Sequence, residues 1–187
     1  TFVTAGPAWA NVSNSPFRQH KQSNHEGGIS APLIAWWPGV VPAGKISPEV
    51  SHITDITATV FDVAGHTYPK AFDNREVTPI AGQSLLPVLK GGTRAGHESL
   101  CWATSGCKAV RIGDWKLVAL PGKPWELYDL KTDRAEQNNL TAKMPDKVKE
   151  LEQAWQRQTN SFTELAKKTL ADQPKPRANK GRGKSQQ

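Results

Sequence analysis

Pro32-Leu33-Ile34-Ala35-Trp36-Trp37, closed by Pro38-Gly39, is the stretch whose reading decides the fold class. A strand with one solvated face alternates apolar and polar residues. A continuous apolar run between Gly27-Gly28 and a Pro-Gly stop instead reads as a strand buried on both faces. Turn residues follow at Pro42-Ala43-Gly44 and Ser47-Pro48. Ile53, Ile56, Val60 and Val63 then recur at helical spacing, with Ser51, Thr54 and Asp55 as candidate caps and Gly65 as a stop. A buried strand followed by a helix is half of an α/β unit, so this segment belongs to a sheet whose other strands lie elsewhere.

Working outward, residues up to about 22 are rich in Gly, Pro, Asn and Ser and show no periodicity, which predicts a long irregular segment of the kind that often carries function. Residues 67–92 read as loop, apart from one or two helical turns at Leu85, Leu86, Val88 and Leu89. Beyond Gly92 the pattern changes. Short β-prone runs at 99–102, 108–112, 116–120 and 125–130, with turns at Gly113-Asp114 and Pro121-Gly122, predict an antiparallel meander or hairpin set. Val148, Leu151, Trp155, Phe162, Leu165 and Ala166 share one helical face, and Pro145 fits a first turn. That helix is expected to dock on the small sheet with Trp155 in the core. The organisation that follows is an α/β part over 1–92, an antiparallel strands-plus-helix subdomain over 93–171, and a tail over 172–187.

Composition narrows the function classes. Hydrophobic residues make up 37% and charged residues 22% of the 187 residues. No apolar run approaches the roughly 18 residues a membrane helix requires. The net charge of +7 divides unevenly, because residues 172–187 hold Lys175, Arg177, Lys180, Arg182 and Lys184 against the single acid Asp172. With prolines, glycines and no large apolar residue, this tail is expected to be disordered, and the body is too weakly basic to suggest a specific nucleic-acid partner. Thr1-Phe2-Val3-Thr4 reads as a chain already under way rather than as a targeting segment. Cys101 and Cys107 are too few for a disulfide scaffold. With His97 they fit no standard zinc spacing, which leaves a local disulfide or two inert thiols.

The stretch GPAWANVSNSPFRQHKQSNHEGGISAPLIAWWPG at 6–39 resembles formylglycine-dependent sulfatases of the arylsulfatase-like class. It carries Trp9-Ala10-Asn11, Ser13-Asn14, Pro16-Phe17-Arg18, Lys21 and His25-Glu26-Gly27-Gly28-Ile29 ahead of the Pro-led apolar run. Ala109-Val110-Arg111-Ile112-Gly113-Asp114-Trp115-Lys116-Leu117, then Glu126-Leu127-Tyr128-Asp129-Leu130 and Asn139-Leu140, resemble the same family's C-terminal subdomain. The resemblance implies the fold: an α/β chain forming the C-terminal piece of an alkaline-phosphatase-like catalytic domain, plus a small antiparallel sheet with a packed C-terminal helix. It also implies cleavage of sulfate esters by a formylglycine nucleophile with calcium neutralising the sulfate oxygens, on a sulfated small molecule or glycan, in the periplasm or outside the cell. The Cys/Ser-x-Pro-x-Arg motif that yields formylglycine and the Asp-Asn-Gly metal motif are absent from the 187 residues. Both are therefore expected upstream of Thr1, with no metal ligand in this chain and no activity in it alone.

Among site residues, the resemblance implies that Lys21, five residues before Glu26-Gly27-Gly28, contacts the substrate sulfate. An ammonium there makes a charge-assisted hydrogen bond and stabilises charge building on the transferring oxygens. His25 is a weaker candidate, able to donate to sulfate or to orient a neighbour. Arg18 either neutralises an anionic substrate or pairs with an acid. Glu26 is read as structural, satisfying backbone donors or pairing with a base, with Gly27-Gly28 as a tight turn needing positive φ. Thr104-Ser105-Gly106-Cys107-Lys108 departs from the His- and Asn-containing loop frequent in the family, which predicts altered substrate preference. Asn11-Val12-Ser13 and Asn139-Leu140-Thr141 are glycosylation sequons in a eukaryotic setting. Gly82-Gln83-Ser84-Leu85-Leu86 lacks the last glycine of a nucleophile elbow, and His25-Glu26 lacks a second histidine, so neither serine-hydrolase nor zincin chemistry is supported. Two competing readings are a noncatalytic polyanion-binding module and a phosphatase or phosphodiesterase of the same architecture.

Overall fold

The computed structural model describes residues 6–171, and the basic tail expected at 172–187 lies outside the described residues. In chain order the elements are α1 (Gly6–Val12), α2 (Glu26–Ile29), α3 (Thr54–Val63), β1 (Ala71–Phe72), β2 (Arg75–Glu76), α4 (Leu86–Leu89), β3 (Leu100–Thr104), β4 (Cys107–Ile112), β5 (Trp115–Ala119), β6 (Glu126–Asp129) and α5 (Pro145–Ala171). No helix among the described residues is long and apolar enough to cross a membrane.

The expected meander is present as an antiparallel sheet in the order β3-β4-β5-β6. Its first hairpin is a two-residue loop in which Ser105 (φ 52°) and Gly106 (φ 80°) are both left-handed, with Thr104 opposite Cys107. That conformation twists as the flanking strands do. Alternation then sorts side chains to two faces. Val110, Leu117 and Leu127 pack against Leu151 and Ala154 of α5, ringed by Cys101, Ile112, Trp115, Trp125, Val148 and Trp155. On the reverse face Ala109, Val118, Tyr128 and Leu130 pack with Trp102.

Leu151 is fully buried in the α5 interface. Leu151→Ala is therefore expected to cost about 2–5 kcal/mol, read from the urea midpoint. A loss below about 1 kcal/mol would mean that α5 does not need this contact to dock. The far part of the predicted stripe behaves differently, since Phe162 and Leu165 are exposed. A helix of 27 residues is about 40 Å long, roughly twice the length of these strands, so its distal half overruns the sheet.

The decisive strand is not formed. Residues 30–37 run outside any ladder, and Leu33, Ile34 and Trp36 are 55%, 89% and 86% exposed. A strand exists only where a neighbour accepts and donates its ladder bonds, and among the described residues none lies beside this run. The apolar stripe of α3 is in the same condition, with Ile53, Ile56, Val60 and Val63 exposed and Asp55 its one buried residue. The predicted helix is present and stops as expected. Gly65 (φ 67°) donates to the Asp62 carbonyl and His66 to that of Phe61, a Schellman closure. Two elements arise where irregular structure was expected: α1, and the β1–β2 hairpin turning on left-handed Asp73 and Asn74.

Candidate functional site

Residues 18–28 form a tight loop laid over the reverse face of the sheet. It is closed internally by Gly27 N–H to the Arg18 carbonyl (2.9 Å), Gly28 N–H to that of His25 (2.8 Å) and Ser23 N–H to that of His20 (3.1 Å). The predicted left-handed turn at Gly27-Gly28 is not present, since neither residue has positive φ. Both lie within the short helix α2, and the need for glycine is steric. A Cβ on Gly27 would run into the carbonyls of Gln19 and Arg18, and one on Gly28 into those of Ser23 and His20. The obstructing atoms are backbone, so Gly28→Ala is expected to lower stability by about 1–3 kcal/mol in urea unfolding. An unchanged midpoint would show that the loop can open at no cost.

The three predicted site residues part company. Lys21 is exposed, and its ammonium makes no ion pair or hydrogen bond with the described residues. Arg18 and His25 instead converge on Glu126. Arg18 Nη1 donates to Glu126 Oε2 (2.8 Å) and to the Tyr128 hydroxyl (2.7 Å), which donates to the same carboxylate oxygen (2.6 Å). His25 Nε2 donates to Glu126 Oε2 (3.2 Å), while its Nδ1 accepts from Ser23 Oγ (2.9 Å). His25 is fully buried with both ring nitrogens used inside the protein, so it orients neighbours and has no nitrogen left for a ligand. Burial alone would raise the Glu126 carboxyl. The Tyr128 hydroxyl, His25 and Arg18 more than offset that and hold it below its ordinary value. The Tyr128 phenol is pushed up, first by burial and then by its bond to Glu126.

Arg18 reaches solvent furthest in this group, with a third of its side chain exposed on the wall of an open cleft of about 510 Å³ that Glu126, Gln137 and Asn139 also line.

Beneath the loop lies a set of charges that the sequence reading did not assemble. Lys116 Nζ is fully buried between Glu26 Oε1 (2.7 Å) and Glu136 Oε1 (2.9 Å), and Glu136 Oε2 accepts the Glu26 N–H (2.8 Å). Glu26 thus pairs with a base, as expected of a structural carboxylate. Strand parity was the available signal, because Lys116 shares a face with the inward Val118. Two further contacts tie the loop down: Asn24 Nδ2 to the Trp102 carbonyl (3.3 Å) and Cys107 Sγ to the Gln22 carbonyl (3.3 Å).

The His97, Cys101, Cys107 set does not come together. His97 Nε2 binds Asp55 (2.8 Å), and the two cysteines lie on adjacent strands out of register, Cys101 opposite Val110 and Cys107 opposite Thr104. Both thiols are free, and burial pushes that of Cys101 up to about 12. Asp55, fully buried, gathers the segments around it. It accepts from His52 N–H, Gln83 N–H, Arg94 Nη2 and His97 Nε2. Burial would raise its carboxyl, yet these donors hold it at about 2. Among the described residues no group of three or more His, Cys, Asp or Glu side chains could hold a metal ion. The carboxylates that do meet, Glu26 and Glu136, are bound to Lys116, so these residues do not fit the calcium site that the resemblance implies.

An uncharacterized sulfatase of Schizosaccharomyces pombe is 32% identical over 167 residues, covering 83% of this chain and 29% of its own length. The crystal structure of Ps i-CgsB superposes with a TM-score of 0.64 at 21% identity, covering 77% of this chain and 32% of that one. The structure of BT4656 in complex with its substrate D-glucosamine-2-N,6-O-disulfate gives a TM-score of 0.50 at 26% identity, covering 68% and 28%. This chain therefore spans about a third or less of the proteins it matches, and its small antiparallel sheet with a packed C-terminal helix is the C-terminal piece of a sulfatase fold. The sequence profile of N-sulphoglucosamine sulphohydrolase, C-terminal, matches residues 19–164, from the Lys21 loop through most of α5, and the chain belongs to that family.

Proposed function

We propose that this chain is the part of a sulfuric ester hydrolase that presents Lys21 to the sulfate group of a sulfated sugar or other small sulfate ester. The observation that carries the reading is the contrast within one loop: Arg18 and Glu26 are each matched by an opposite charge, whereas the Lys21 ammonium is exposed and has no partner among the described residues. An ammonium held this way binds one sulfate oxygen and stabilises the charge that grows on the leaving and transferring oxygens. Arg18, turned to the cleft beyond Glu126, adds positive potential for an anionic substrate, and His25 steadies Glu126 behind it.

Calcium and a formylglycine nucleophile belong, on this reading, to segments outside the 187 residues, and no described residue is given a part in holding either. The substrate complex of BT4656 supports a sulfated sugar as the substrate class. Family membership supports an exported protein, and no partner beyond the substrate is assigned.

The test is hydrolysis by the intact protein of a sulfated monosaccharide and of the matching phosphate monoester, with sulfate and phosphate release measured side by side. Preferential sulfate release is expected. Preferential phosphate release would move the protein to the phosphatase reading. Binding to the sulfated sugar without turnover of either ester would leave the noncatalytic module.

A further inference from the structure

We propose that the buried Glu26, Lys116 and Glu136 triad is a positioning device for Lys21, through which the C-terminal sheet sets the place of the sulfate-contacting cation; the proposal rests on the reading of Lys21 given above. Lys116 is fully buried on β5, and Glu26 and Glu136 are 3% and 1% exposed. The three close a ring, since Lys116 Nζ holds one oxygen of each carboxylate and the second oxygen of Glu136 takes the Glu26 N–H. Gly27 and Gly28, which follow Glu26 in α2, donate to the Arg18 and His25 carbonyls, so a shift of Glu26 moves the segment carrying Lys21.

The loop is also held on both sides of Lys21: by Arg18 on Glu126, by the Gln22 carbonyl on Cys107 and by Asn24 on Trp102. All these anchors lie on β3, β4, β5, β6 or the turn that contains Glu136. Glu136 itself sits at φ 56°, a conformation uncommon for a side-chain-bearing residue. Among the described residues the Lys21 ammonium has no partner to fix it, so its position is inherited from these anchors. A cation aids a reaction only when it is held in place beforehand, and a displacement near 1 Å costs on the order of 100-fold.

Buried ionic clusters are weak sources of stability and can be replaced by apolar or neutral groups without loss of folding. That property separates a positioning role from a merely structural one. In the intact protein, the neutral triple variant Glu26→Gln, Lys116→Met, Glu136→Gln is expected to keep its urea midpoint. Its kcat on p-nitrophenyl sulfate should fall about 10- to 100-fold with KM within about twofold, and amide exchange over residues 20–26 should quicken. Wild-type kcat in the folded triple variant would overturn the proposal. Should the triple fail to fold, Glu136→Gln alone retains one carboxylate for Lys116, and the same split between kcat and KM is expected at several-fold size; its absence counts equally against the device.

Combining the triple change with Lys21→Ala completes a cycle. No loss beyond that of Lys21→Ala alone is expected, because the anchors act on turnover only through that cation. Additive losses overturn positioning while leaving Lys21 in the site, whereas wild-type turnover in Lys21→Ala alone overturns the reading of the site itself.

Discussion

Lys21→Ala in the intact protein is expected to lower kcat/KM for a sulfate ester by about 100- to 1000-fold, equivalent to about 3–4 kcal/mol of barrier, while the unfolding midpoint stays within about 0.5 kcal/mol of wild type. The two halves of this expectation come from separate observations. Lys21 is exposed and bonds to none of the described residues through its ammonium, so the fold loses nothing when the side chain is truncated. The loop beneath it is closed by backbone hydrogen bonds and seated on buried charges, so the cation is presented from a rigid base. Lys21→Arg is expected to recover only part of the loss, because a planar fork does not reproduce a compact ammonium. Steady-state kinetics beside urea unfolding decides the matter. Activity within twofold of wild type in the alanine variant would return Lys21 to the ordinary solvated surface.

Asp55→Ala is expected to destabilise the protein by about 3–5 kcal/mol. The carboxylate is fully buried, and its removal takes the close charge partner from Arg94, whose side chain is 5% exposed, and the acceptor from His97 and the amides of His52 and Gln83. Asp55→Asn keeps one acceptor and is expected to cost about 1–3 kcal/mol. A pH dependence follows. The folded-state carboxyl sits at about 2 against an ordinary 3.8, so the folded protein holds the ionised form more strongly than the unfolded chain does. That contribution, about 2 kcal/mol, is complete above the unfolded value and is lost as pH falls from about 4 through about 2. Urea midpoints from pH 6 down to pH 2 should show this loss in wild type and a shallower one in Asp55→Asn. Equal slopes would remove Asp55 as its source.

How far the sequence could be read depended on whether a feature was local. The meander and its turns were legible because Gly113-Asp114 and Pro121-Gly122 punctuate short β-prone runs, and α5 was legible because its stripe follows one period. The run at 32–37 is legible as apolar, yet it forms no strand, since ladder bonds depend on a neighbour that composition does not reveal. Gly27 and Gly28 were correctly marked as special for the wrong cause: close approach of carbonyls to a Cβ is a tertiary fact, whereas positive φ is the local guess. The Lys21 loop was legible through its motif. Its supports were not, because Glu26, Lys116 and Glu136 are separated by up to 110 positions, and nothing local distinguishes a buried charged residue from a solvated one.

The unladdered run with bare Ile34 and Trp36 bears on how the protein can be handled. Produced without the rest of its parent, this chain would offer other copies a free backbone edge flanked by an aliphatic and an indole, which is what seeds self-association. Recombinant work on the 187 residues alone should therefore meet precipitation and dye-binding aggregates, and a partner segment that pairs with residues 30–37 should bring it into solution.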